Sequence, residues 1–219
     1  MQKTILLLGL LSLGARGAEP IQREPMKLKE ERMSIEYTVT SGEATLIVQA
    51  ESELNLGRVI VSAPNGRPVM DLRSSEQEDR SLQGFVIEMK ELNLPELLQS
   101  YSPGTYRMNG RTSDGKLVKG SAALSHFLPD APVVTYPLQG ETVETTFDVT
   151  WAPVPGARAY QIVLEQGDND NLTAELPAGI HFFSVPPGIL APGLESHVEV
   201  GAVADNGNRT VVEVEFRTR

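Results

Sequence analysis

From Ser34 to the C-terminus, apolar and polar residues alternate with a period of two in short runs separated by turn dipeptides, and no long helical period is sustained. Successive side chains of an extended strand point to opposite faces, so such runs describe strands with one face turned inward. Ile35, Tyr37 and Val39 share one side of Ser34 to Thr40, and Leu46, Val48 and Ala50 share one side of Ala44 to Glu51. Arg58 to Pro64 and Arg67 to Arg73 flank Asn65-Gly66, a pair suited to the positive φ angles of a type I′ hairpin turn. Gly84 to Lys90 is a further strand. Gly104 to Thr112 and Lys116 to His126 flank a second hairpin dipeptide, Asp114-Gly115. Between them, Leu94, Leu97, Leu98 and Tyr101 stand at helical offsets and predict one or two helical turns at the edge of the strands. Short strands with frequent turns indicate a sandwich or barrel rather than an α/β core.

The texture is interrupted once, by Phe127 to Pro132, where two prolines in a short polar step read as a tight interdomain linker. Beyond it the pattern resumes. Val143, Thr145, Phe147, Val149 and Trp151 alternate through Thr142 to Trp151, Tyr160, Ile162 and Leu164 through Ala159 to Glu165, and Val198 and Val200 through His197 to Ala204. Arg209 to Thr218 closes the chain as a last strand. The organisation expected is a signal peptide at 1–17, a flexible leader at 18–32, a β-sandwich at 33–127, a linker at 128–132 and a second sandwich at 133–219.

In the second half, Phe147-Asp148-Val149-Thr150-Trp151, Pro153 and Pro155 are followed by Ala159-Tyr160-Gln161-Ile162, Val185-Pro186, Leu190-Ala191-Pro192-Gly193 and Val198-Glu199-Val200. This stretch, from about 132 to 219, resembles a fibronectin type III domain. The resemblance implies that Trp151 and Tyr160 are core residues and that Leu190, Pro192 and Gly193 shape the turn before the penultimate strand. The family's corner tyrosine is replaced by Ser196, with His197 beside it. More loosely, the first half resembles bacterial immunoglobulin-like domains through Tyr101-Ser102-Pro103-Gly104-Thr105-Tyr106 and Asp114-Gly115-Lys116. The fold class expected is therefore all-β, two tandem immunoglobulin-like and fibronectin type III-like β-sandwich domains. A fold of this kind implies no activity by itself.

The N-terminus carries Lys3, an apolar run from Ile5 to Leu13, and small residues at Gly14, Ala15, Gly17 and Ala18, which is the layout of a secretory signal peptide cut after Gly17. The run is well short of the roughly 20 residues needed to cross a bilayer, and no later segment is apolar enough to span. Cleavage removes two positive charges, Lys3 and Arg16, from a formal net charge of −10, leaving −12. That charge opposes binding to a polyanion, so nucleic acid is excluded as a partner class. The chain has no cysteine, so each sandwich must hold by its own core. Lack of disulfides in an exported chain favours a bacterial periplasmic or secreted protein.

Candidates for chemistry are sparse. His126, His181 and His197 lie on strands or at strand ends without the spacing of a helical metal or catalytic motif, and neither H-E-x-x-H nor G-x-S-x-G occurs. They read as structural or surface histidines, and an enzyme would need one of them to meet an acidic residue or a serine in a pocket. The acidic loop Gly167-Asp168-Asn169-Asp170-Asn171 is oxygen-rich, as calcium sites are, yet lacks the glycine and distal glutamate of an EF-hand, so it reads as a hairpin turn. Asn171-Leu172-Thr173 and Asn208-Arg209-Thr210 fit the glycosylation pattern, which matters only in a secreted eukaryotic protein. The loop Ser74 to Gln83 and the turn Ala204 to Arg209 are polar end loops of the type through which sandwiches recognise partners. One of Phe182 and Phe183 must face away from the core. No catalytic, metal-ligating or cofactor-binding residue is assigned. The expected function is that of an exported, non-catalytic binding or scaffold protein with an unidentified protein partner, a carbohydrate-binding accessory protein being the first alternative and an enzyme with an unrecognised active site the second.

Overall fold

The computed structural model describes residues 24–74, 82–167 and 169–219. The expected signal peptide, the leader up to residue 23, most of the polar loop at 74–83 and Asp168 lie outside them. In chain order the elements are β1 (Met26–Lys27), β2 (Lys29–Thr38), β3 (Glu43–Ser62), β4 (Pro68–Arg73), β5 (Leu82–Asn93), α1 (Leu94–Ser100), β6 (Gly104–Thr112), β7 (Leu117–Leu124), β8 (Val134–Tyr136), β9 (Glu141–Val143), β10 (Asp148–Trp151), β11 (Ala159–Gln166), β12 (Asn169–Pro177), β13 (Phe182–Ser184), β14 (Glu195–Val203) and β15 (Arg209–Thr218). Among the described residues the fold is all-β with one short helix.

In the N-terminal half, β3 is the organising strand. Its first part pairs antiparallel with β2 and β5, and its last part with β4 and β6. The two segments expected as separate strands, Ala44 to Glu51 and Arg58 to Pro64, are thus one 20-residue strand. Register shifts between Glu51 and Leu56 let it leave one layer and enter the other. β6 and β7 extend the second layer, and β2 packs against β7 without pairing to it. Between the layers lie Met33, Ile35, Leu46, Leu56, Tyr106 and Met108, all fully buried. Gly110 on β6 is required by this pairing, because a Cβ there would sit 2.0 Å from the Arg58 carbonyl oxygen of the neighbouring strand.

Local chemistry sets the ends of these elements. Hairpins form at both expected places, β3–β4 and β6–β7, with Gly66 and Gly115 at positive φ. The type I′ expectation for Asn65-Gly66 is corrected: Asn65 is not at positive φ, and Gly66 N donates to Ala63 O at 2.8 Å in a turn that starts two residues before Asn65. Asn93 caps α1 by accepting from Glu96 N at 2.9 Å, Pro95 fits its first turn, and Leu97 is the residue the helix buries. Tyr106 donates its hydroxyl hydrogen to the Ser102 carbonyl at 3.0 Å, pinning the Tyr101-to-Tyr106 corner. The leader is partly a structural element. Met26–Lys27 runs parallel to β7, Leu28 N donates to Lys119 O at 2.8 Å, and the Leu28 side chain is buried. In the sequence this shows only as one apolar pair, Met26 and Leu28, among charges.

The C-terminal half places β13, β10 and β8 in a three-stranded sheet and β9, β15, β14, β11 and β12 in the facing one. Trp151, Tyr160, Ile162, Leu164, Val200 and Phe216 fill the space between. The Trp151 and Tyr160 rings pack at 5.2 Å, and the Tyr160 hydroxyl accepts from Val154 N at 2.7 Å, so both residues hold the core positions the resemblance implies. Where the corner tyrosine is missing, Gln166 does its work. Its Nε2 donates to Ala191 O at 3.0 Å and to the buried Ser196 Oγ at 2.9 Å, and its Oε1 accepts from Ala191 N at 2.8 Å.

The two cores are separate clusters, yet the sheet does not stop between them. β15 of the second half pairs parallel with β2 of the first through Glu36↔Arg209, Tyr37↔Thr210 and Thr38↔Val211. One hydrogen-bonded surface therefore runs from β5 through β3, β2, β15, β14 and β11 to β12.

Candidate functional site

The seam between the halves is built around the turn Ala204 to Arg209, which the sequence suggests is a free polar loop. That expectation is corrected, because Asn208 is fully buried. Its Oδ1 accepts from Ile35 N at 2.8 Å, and its Nδ2 donates to Ser125 O at 2.9 Å and Phe127 O at 2.7 Å. Asn206 Nδ2 adds a bond to Phe127 O at 2.9 Å, and Thr210 Oγ1 donates to Pro129 O at 2.7 Å. One turn thus satisfies backbone groups of β2 and of the chain between the halves, groups that would otherwise be costly to bury. A buried Asn208 is also no glycosylation acceptor in the folded chain. The polar composition of the turn reflects this bonding, which a sequence cannot distinguish from solvation.

Beside the seam, on the outer face of the continuous sheet, lies a cleft of about 240 Å³. Strand alternation places its walls. Arg32 and Ser34 alternate with inward Met33 and Ile35 on β2, and Gln161 stands between inward Tyr160 and Ile162 on β11. Val86 on β5 is 64% exposed and supplies an apolar wall. The charges are unevenly matched. Arg209 pairs with Glu36 and bonds Gln161, while burial lowers its pKa from the ordinary value. Arg158 reaches Glu175 at 3.7 Å, and Glu88 is held by Lys90 at 3.2 Å. Among the described residues, Arg32 has no carboxylate within 4.0 Å. The cleft therefore offers one guanidinium with spare capacity in a chain of net charge −10.

The histidines do not gather around one cavity. His126 Nε2 lies 2.7 Å from Tyr101 O, His181 packs edge-on against Tyr160 at 5.8 Å, and His197 Nε2 is 2.5 Å from Glu165 Oε2 on the outer face of β14. The meeting of His197 with glutamates was not visible in the sequence, where 32 positions separate His197 from Glu165. It follows from the β11–β14 register, which sets the two directly opposite. Gly167 takes positive φ at the end of β11, and of the expected acidic turn, Asn169 to Asn171 belong to β12, which pairs antiparallel with β11. Phe182 is the outward member of its pair and Phe183 packs on the core. The other exposed phenylalanine, Phe127, lies between the halves. No helix among the described residues is long and apolar enough to cross a membrane.

No family model and no curated protein matches the chain. Among solved structures it is similar to a two-domain fibronectin type III segment of chicken tenascin, at 12% identity and a TM-score of 0.33, covering 87% of this chain and 98% of that one. It is similar to the FN1–FN3 domains of chicken CNTN1, at 14% identity and a TM-score of 0.32, covering 88% and 66%. The fibronectin(III)-like modules of Clostridium thermocellum CbhA match at 8% identity and a TM-score of 0.33, covering 87% and 93%. These neighbours are fibronectin type III structures, and the chain's own strand pairings make it an all-β sandwich protein.

Proposed function

We propose that this chain is an exported, non-catalytic binding or scaffold protein, made of an immunoglobulin-like unit at 33–127 and a fibronectin type III-like unit at 133–219, and that it acts through protein–protein contacts. The observation that carries the reading is the seam at Asn208, which turns two sandwiches into one sheet surface with a cleft at their junction. A platform whose two halves are already fixed loses little conformational entropy on association, so a given contact area yields more affinity. Junctions between units are also where recognition clefts concentrate. Arg32 gives the cleft a polar anchor and Val86 an apolar one. Arginine is among the residue types that supply the few strong contacts on which interfaces depend, with the valine adding apolar area beside it.

The test uses the mature chain as bait in envelope extract, beside an Arg32→Glu/Val86→Ser variant and a polysaccharide binding screen. A discrete protein partner that the variant no longer retains supports the proposal. Glycan binding without a protein partner, or a partner retained equally by the variant, contradicts it.

A further inference from the structure

The outer face of β11, β14 and β15 holds a second cluster, distinct from the cleft. Inward Leu164, Val198 and Val214 alternate with outward Glu165, His197, Glu199, Glu213 and Glu215. The register arranges these as two rungs, Glu165↔His197↔Glu215 and Val163↔Glu199↔Glu213. One imidazole is thus flanked by carboxylates on both sides, and two glutamates stand directly opposite each other on the next rung. Like charges so opposed destabilise a sheet unless something positive lies between or beside them.

We propose that His197, Glu165 and Glu199 form a binding site for a divalent transition-metal ion of the zinc class. Their potential ligand atoms all lie within 4.8 Å of one another. Bonds of about 2.0–2.2 Å in a tetrahedral arrangement would separate them by roughly 3.3–3.6 Å. His197 Nε2 and Glu165 Oε2, at 2.5 Å, have to open by about 1 Å to reach that spacing. Binding therefore requires the two side chains to rotate apart. His197 and Glu165 are only 27% and 25% exposed, so the sheet already restricts their rotamers. Of the three, His197 also borders a concavity of about 430 Å³ whose other lining residues are Gly167, Glu195, Ser196 and Glu215, so the imidazole is reached from solvent on that side. The ligand types select the ion. Calcium and magnesium prefer all-oxygen shells, whereas one imidazole with two carboxylates suits zinc. Glu213 Oε1, 3.9 Å from His197 Nε2, supplies further negative potential at the same point. Glu165 and Glu199 have other contacts, and the ion competes with them.

The site is tested on the untagged full mature chain by calorimetric titration with Zn²⁺ and by the visible spectrum of added Co²⁺. One equivalent is expected to bind, with the Co²⁺ bands of a four- or five-coordinate ion. His197→Asn is expected to weaken binding at least about tenfold, and Glu199→Gln by about tenfold, with melting curves showing both variants folded. The His126→Asn/His181→Asn double variant is expected to bind like wild type. Wild-type NMR with Co²⁺ supplies a readout independent of any variant, and its paramagnetic shifts should centre on β11 and β14. Unchanged binding in His197→Asn, equal preference for Ca²⁺ or Mg²⁺, or paramagnetic shifts centred elsewhere would overturn the proposal.

Discussion

Replacing Asn208 by alanine removes three hydrogen bonds at a fully buried point, one accepted from Ile35 N and two donated to Ser125 O and Phe127 O. The Ile35 N–H then has no partner, which costs about 1–3 kcal/mol, and the two carbonyls each lose a bond with a net value of about 0.5–1.5 kcal/mol. Together these give a loss of about 3 kcal/mol, with water entry recovering part of the carbonyl terms. For a chain of this size the melting temperature should fall by about 6–12 °C. The loss is confined to the seam, so the two halves should also begin to melt in separate steps. Asn208→Asp sharpens the test. The carboxylate can still accept from Ile35 N, but its second oxygen faces two carbonyl oxygens that need a donor, so it should destabilise at least as much as alanine. Differential scanning calorimetry of both variants, with limited proteolysis between Ser125 and Pro132, reads the outcome. A melting temperature within about 1 °C of wild type, or an aspartate variant more stable than the alanine one, would refute the reasoning.

Three further outcomes follow from the N-terminal half. Gly110→Ala forces a Cβ to 2.0 Å from Arg58 O and should cost about 3 kcal/mol or more by prising β6 from β3, seen as a lower urea midpoint. Tyr106→Phe removes only the bond to Ser102 O and should cost about 1 kcal/mol in the same assay. Asp114, held by Lys116 and Thr112, has its pKa lowered from 3.8 to about 2. Because the folded value is the lower one, its contribution to the β6–β7 turn is complete above about pH 4 and lost as pH falls through about 2. An NMR titration of the Asp114 carboxyl should show this value, moving up toward 3.8 in Lys116→Ala.

Much of the fold was legible because strands and turns are local. Asn65-Gly66 and Asp114-Gly115 marked their hairpins, the Leu94-to-Tyr101 spacing marked α1, and Trp151 and Tyr160 marked the second core. What escaped depends on register between distant segments. The merging of two strands into β3 runs through Ser52, Asn55 and Gly57, turn-type residues that read as a break, whereas the chain shifts register there and stays extended. The short pairing of Met26–Lys27 with β7 is carried mostly by backbone groups, which every sequence has. Asn208 looked like an ordinary turn asparagine because its partners, at Ile35, Ser125 and Phe127, are backbone atoms remote in the chain. The junction cleft and the His197 cluster were hidden for the same reason. Alternation assigns Gln161, Glu165 and His197 to outer faces, Arg32 falls in the expected leader, and only strand order says which of them become neighbours.

The absence of cysteine permits a direct measurement of whether the two sandwiches form one fixed platform, because an introduced pair can be labelled without interference. Spin labels at Ser113→Cys and Pro187→Cys, both exposed and in opposite halves, report the distance across the seam by pulsed electron resonance. A single narrow distance distribution that broadens in Asn208→Ala is the expected result. A broad or multi-peaked distribution in the otherwise wild-type chain would mean that the halves move independently, and the rigid platform would be contradicted.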